Sequence, residues 1–201
     1  FSSTGQTKTF DLVRQGWYAA LRVDYKCDWG VPGITAWYGS GDDSTPYNGS
    51  ERLPVFNSPW PVTPLGFGGG FFDLNTWKVL GHNPGGLAGV VGTIKDVSFI
   101  DDLTHTFKLA YFHGTNSAEM PRKANMTSYP SRADGPMAYL TTTDHAWEGS
   151  VSNTYKIYDN LLMNVEAAYV NLHLDGSTWR GVEDSQYRDN WRVSLSFRYQ
   201  F

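Results

Sequence analysis

Sulfur is scarce in this chain. Cys27 is its one cysteine, so no internal disulfide can form and no cysteine pair stands ready to hold a metal. Long apolar runs are missing as well. No stretch approaches the roughly 18 consecutive apolar residues of a membrane-spanning helix. Basic excess is absent: the formal net charge is −4, which gives no electrostatic footprint for nucleic acid. Catalytic patterns are absent too. There is no Gly-x-Ser-x-Gly elbow. The run Gly66-Phe-Gly-Gly-Gly70 lacks the Lys-Ser/Thr of a phosphate loop. His82, His105, His113, His145 and His173 show no metal-ligand spacing. Asn125-Met-Thr127 matches a glycosylation sequon, which would mean little if the chain were bacterial. No catalytic residue, metal or cofactor is expected.

What the chain does have is period-two alternation. In residues 191–201, Trp191, Val193, Leu195, Phe197, Tyr199 and Phe201 alternate without error with Arg192, Ser194, Ser196, Arg198 and Gln200. Such a pattern is a β-strand with one apolar and one polar face. Aromatics at both ends and aliphatics in the middle suit a strand crossing a bilayer between two interfacial girdles. Eleven residues at roughly 3.3 Å each, tilted by about 40°, rise about 28 Å, close to the thickness of the hydrocarbon core. The odd positions are therefore assigned to lipid. Aromatics make up 15% of the chain while its mean hydropathy is negative, as expected where half of every strand faces water.

Six further alternating stretches precede the last one, at about residues 17–26, 34–40, 88–99, 104–113, 145–157 and 161–174. Short turns and long connections take turns between them, the long ones being residues 41–86, 114–144 and 175–190. That layout predicts an all-β, transmembrane antiparallel β-barrel with short periplasmic turns and long extracellular or pore-entering loops. The stretch at 88–99 resists a clean assignment, because Lys95 and Asp96 are adjacent and either parity turns a charge outward. A bulge would reconcile it. Seven strands is odd, and single-chain bacterial barrels use even numbers. Residues 66–78 offer an eighth strand; the preferred reading makes residues 1–201 one β-barrel domain, the C-terminal strands of a roughly 16-stranded barrel. The chain opens on Phe1 without a signal peptide, which fits either a processed leader or a missing upstream part.

The inward positions of the clearest strands give a pore-lining set: Arg22, Asp24, Lys26, Lys108, Glu148, Lys156, Glu166, Arg192 and Arg198. Six are cations and three are anions, whereas acids outnumber bases in the long loops. A cationic wall raises the local concentration of anions, so a weak anion preference is expected unless the charges pair with one another.

The segments NLLMNVEAAYVNLHLDG and NWRVSLSFRYQF, with the alternation of short turns and long loops, resemble the C-terminal half of a Gram-negative outer-membrane porin. The nearest likeness is to the homotrimeric porins of sulfate-reducing bacteria, and it is strongest over residues 145–201. The terminal Phe with its alternating pattern resembles the signal read by the barrel assembly machinery. The resemblance implies a homotrimer in the cell outer membrane, contacting membrane lipid and lipopolysaccharide, and forming a water-filled channel for passive diffusion of small hydrophilic solutes. Two other functions compete. One is an outer-membrane barrel enzyme. The other is a soluble carbohydrate-binding β-sandwich using Trp60, Trp77 and Trp179 as sugar platforms.

Overall fold

The computed structural model describes residues 13–45, 48–54, 60–67, 69, 84–123, 139–179 and 189–201. They form one antiparallel sheet: β1 (Tyr18–Asp24), β2 (Val31–Gly39), β3 (Leu87–Ile100), β4 (Leu103–Gly114), β5 (His145–Tyr158), β6 (Leu161–His173) and β7 (Asp189–Tyr199). A single helical turn, α1 (Met120–Lys123), interrupts the second long loop. Each strand pairs with the next in sequence, giving the order β1-β2-β3-β4-β5-β6-β7. β1 and β7 do not pair with each other. Among the described residues the sheet is therefore open, with two free edges, and is not a closed barrel. Of the expected eighth strand, Gly66, Phe67 and Gly69 are described and none is in a strand; the rest of residues 66–78 lies outside the described residues.

The short turns are tight for identifiable reasons. Cys27 and Gly30 exchange backbone hydrogen bonds across the first, with Gly30 at a φ of 154°. Asp102 occupies the left-handed region, at a φ of 64°, in the second; Asp is among the residues that tolerate it. The third, between β5 and β6, carries a register shift at Lys156/Tyr158. β2 begins at Val31, earlier than the alternation suggests, because Pro32 and Gly33 are strand residues. Pro32 has no N–H to give, and its carbonyl accepts from Tyr25.

The ambiguity in β3 resolves as a β-bulge. Ile94 faces Phe107, yet Val97 faces His105, so one extra residue is inserted on the β3 side. Asp96 sits in the inserted segment at a φ of 58°. Lys95 keeps to one face before the bulge, and a second register shift follows between Val97 and Ile100.

The two faces differ sharply. On one, which we call the covered face, residues 60–67 of the first long loop and residues 139–141 and 174–179 of the later loops pack against the strands. Trp37, Leu65, Phe67, Val91, Phe112, Leu140, Val170, Leu172 and Trp179 form the buried core there. Phe67 meets Phe112 edge-on at 5.4 Å and Trp37 at 5.7 Å, and Trp37 meets Trp60 at 5.7 Å. Edge-to-face pairs contribute about 0.5–1.5 kcal/mol each beyond the area they bury. Gly89 makes room for this cluster: a β-carbon there would stand 2.5 Å from the Trp37 ring. The opposite, bare face carries nothing among the described residues. Leu21, Ile34, Val90, Leu109, Trp147, Tyr169, Val193 and Leu195 all stand exposed on it.

Candidate functional site: the charged wall of the sheet

Register collects the charged side chains onto the covered face. Arg22 and Asp24 lie in line on β1, opposite Thr35 and Gly33. Lys108 faces Thr93 and Ser150; Glu148 faces Ala110 and Val170; Glu166 faces Ser152 and Ser194; Arg192 faces Ala168. Lys95, absent from the sequence-based set, joins them opposite Val31, in step with Val91 and Thr93. On this face six cations (Arg22, Lys95, Lys108, Lys156, Arg192, Arg198) stand with three anions (Asp24, Glu148, Glu166).

Most of these charges are engaged. Asp24 lies between two cations, with Arg22 Nε at 2.7 Å and Lys95 Nζ at 3.2 Å. Arg192 Nη2 reaches Glu166 Oε1 at 2.7 Å, and Ser152 Oγ donates to the other carboxylate oxygen at 3.3 Å. Glu148 is only 1% exposed. Its two oxygens accept the backbone N–H groups of Leu65 (2.7 Å) and Gly66 (2.8 Å). Lys108 Nζ donates to the Val62 carbonyl at 3.0 Å. Glu148 and Lys108 thus hold residues 62–66 against the wall, since a buried carboxylate needs donors and charge-assisted bonds are the stronger kind.

Three residues of the expected set sit at or beyond the short-turn end of the sheet. Lys26 lies past the last residue of β1, and Lys156 lies near the short-turn end of β5, where it pairs with Asp159 at 2.6 Å. Arg198 is exposed near the end of β7, opposite Leu162. The six odd positions of the C-terminal stretch behave uniformly. Trp191, Val193, Leu195, Phe197 and Tyr199 project from the bare face of β7 and are more than half exposed. Phe201 is exposed beyond the strand.

The long-loop end of the sheet is closed by a polar knot that alternation could not reveal. Asp144, fully buried, accepts from the Thr141 N–H (2.8 Å), Thr141 Oγ1 (2.7 Å), Trp179 Nε1 (2.9 Å) and the Asp175 N–H (2.8 Å). Asn116 Nδ2 donates to the carbonyls of Leu140 (2.6 Å) and Gly86 (3.3 Å), while its Oδ1 accepts from the Asp42 N–H (3.1 Å). Arg52 donates to the Gly85 carbonyl at 3.0 Å and lies 5.2 Å over the Tyr139 ring, and burial lowers its pKa. Burial raises that of Tyr139. Ser50 donates to Asp42 in a short hydrogen bond. Asp175 caps the turn that follows it; hydrogen bonds from Ser177 and Thr178 hold its pKa down at about 2. All three long loops are tied into one network at this end.

With the side chains as they stand, no group of three or more His, Cys, Asp or Glu among the described residues converges on a metal position. No described helix is long and apolar enough to cross a membrane, which says nothing of strands. Comparison with protein-family models, with curated proteins and with solved structures gave no match to this chain.

Proposed function

We propose that this chain is part of the wall of an outer-membrane porin, a water-filled channel for passive diffusion of small hydrophilic solutes. One observation carries the reading. At the paired positions of all seven strands the bare face holds no Lys, Arg or Glu, and its single Asp, Asp189, is at the outer end of β7; Asp96 is unpaired in the β3 bulge. The covered face of the same strands holds nine charges. In water, so wide an uncharged apolar surface would be a liability. Against hydrocarbon it is what the environment demands, with polar groups confined to the aqueous side.

Hydrocarbon imposes a second demand. Unpaired backbone groups along β1 and β7 would be costly there, so both edges need further strands. A barrel of about sixteen strands, completed by residues of a longer chain, supplies them and restores an even number. Residues 62–66, held by Glu148 and Lys108, then narrow the channel from within. The homotrimer and the outer-membrane location follow from the resemblance in residues 145–201.

A weak anion preference is part of the proposal. The covered face has a cationic excess, but pairing of Arg22, Lys95 and Arg192 with Asp24 and Glu166 mutes it. Of the three aromatic platforms of the sandwich alternative, the two described are engaged within the protein. Trp179 is fully buried and Trp60 packs against Trp37 and Tyr18; Trp77 lies outside the described residues.

Extraction and conductance test the reading together. The native protein should resist buffer, enter detergent, and give stepwise ohmic conductance in a planar bilayer. Release into buffer alone, or detergent-soluble protein that never conducts, would overturn it.

A further inference from the structure

Three of the five histidines, far apart in sequence, fall on one rung of the sheet. His113 of β4 faces His145 of β5, and His145 faces His173 of β6. All three project from the bare face at its long-loop end. His145 is the first residue of β5, His173 the last of β6, and His113 the last but one of β4. The rings of His145 and His173 are 4.7 Å apart, centroid to centroid, with 30° between their planes. Tyr111, on the next rung, packs 6.0 Å from His145 and 6.4 Å from His113. The His113 Nδ1 is buried and has no hydrogen-bond partner among the described residues.

We infer that His145 and His173, with His113 as a third ligand, form a binding site for a divalent transition-metal cation of the copper, nickel and zinc class. The argument is geometric and chemical. Two imidazoles sharing an ion at about 2.1 Å each bring their ligating nitrogens to roughly 3 Å. Rings already 4.7 Å apart on neighbouring strands reach that by rotation of their side chains, without backbone movement. As they stand the three rings do not converge, so the site is a pair that closes on the metal. His113 is one strand spacing away on the other side of His145, about 5 Å, and its unpartnered nitrogen gains a partner by joining. Imidazole selects Cu, Ni and Zn over Mg and Ca, which prefer oxygen. Among the described residues, no Lys or Arg of the strands shares the bare face with this rung to repel a cation. The nearest carboxylate on the same face, Asp189, is engaged by Asn171 Nδ2 at 2.6 Å. The buried carboxylate of Asp144, next to His145 in the chain, is engaged by the loop network described above. Water fills the remaining coordination positions. A metal here would tie β4, β5 and β6 together where their pairing ends.

The inference does not depend on the channel reading, because binding is measured without a bilayer. The full chain, prepared without a histidine tag and folded in detergent, is titrated calorimetrically with Cu2+ alone at pH 7.5, then with Ni2+, Zn2+ and Mg2+. One Cu2+ per chain should bind, more tightly than Ni2+ or Zn2+, with no heat from Mg2+. Affinity should fall as the pH drops below about 6.5, where protons compete for imidazole. His145→Gln and His173→Gln should each remove this site, and His113→Gln should weaken it about tenfold. His105→Gln, on the same face near the other end, should leave it intact. Thermal unfolding guards against misfolded variants: all should melt alike without metal, and Cu2+ should raise the Tm of the wild type alone among wild type, His145→Gln and His173→Gln. No binding to the wild type, or undiminished binding to either His145→Gln or His173→Gln, would overturn the inference.

Discussion

The two faces of this sheet share one backbone, one set of hydrogen bonds and one set of strands, yet they live by different rules. On the covered face, size and charge are matched to partners: Phe112 to Phe67, Arg192 to Glu166, Glu148 to the N–H groups of Leu65 and Gly66. On the bare face, residues have neighbours only within their own layer, as with Trp17 stacked on Tyr38 at 4.8 Å and Tyr111 beside Trp147 at 4.7 Å. The covered face is specified by what it touches inside the protein. The bare face is specified by what lies outside it. A period of two keeps those specifications apart, since a slip of one residue would exchange them completely.

The strongest way to break this contrast is to remove bulk from each face in turn. Phe112→Ala opens a cavity beneath Trp37 and Phe67 and should cost about 3–5 kcal/mol in denaturant unfolding. Leu109→Ala, three positions earlier on the bare face, should cost about 1 kcal/mol or less. Comparable losses at the two positions would mean that the bare face has a packed partner. Charge sharpens the comparison. Leu195→Arg should hinder insertion into vesicles by about 2–4 kcal/mol, because the charge would meet the hydrocarbon midplane. Ser194→Arg, its neighbour on the covered face, should be tolerated. Equal penalties would sink the assignment of faces.

A smaller effect concerns selectivity. Under a salt gradient the reversal potential should show a weak anion preference that fades as ionic strength screens the wall. Arg192→Gln with Arg198→Gln should reduce it. A cation-selective wild type would show that the covered-face charges do not set selectivity. The smallest effect is the response to acid of the loop end that closes the covered face. Asp175 titrates at about 2 in the folded chain, below the ordinary 3.9 of an unfolded aspartate. A depressed pKa gives stability that is present above about pH 4 and lost as pH falls toward 2. Asp175→Asn should flatten the stability profile in that window and leave its slope near neutrality unchanged.

Much of this arrangement was legible in the sequence. The alternation in residues 17–26, 104–113 and 161–174 named the strands and their charged faces, because each side chain's face follows from its parity alone. Parity failed where the backbone broke step. Lys95 and Asp96 look contradictory until the bulge at Asp96 accounts for one residue, which is why Lys95 was missed as a partner of Asp24. Pro32 and Gly33 read as turn residues and were found in β2. Pairing across loops was beyond reach. Nothing local marks Asp144 as the acceptor for Trp179, or sets His113, His145 and His173 on one rung, since those meetings depend on register between strands. The strand charges chosen by parity fall together on one face of the sheet, but parity is silent on whether they pair, and most do.

The claim that the bare face meets lipid is tested most directly by an accessibility scan of β7. Cys27→Ser removes the native thiol, and single cysteines at each position from 191 to 199 carry a nitroxide label in lipid vesicles. The account predicts a period of two: odd positions open to oxygen dissolved in the bilayer, even positions open to a water-soluble paramagnetic reagent. A scan without alternation, or odd positions reached by the water-soluble reagent along the whole strand, would contradict it.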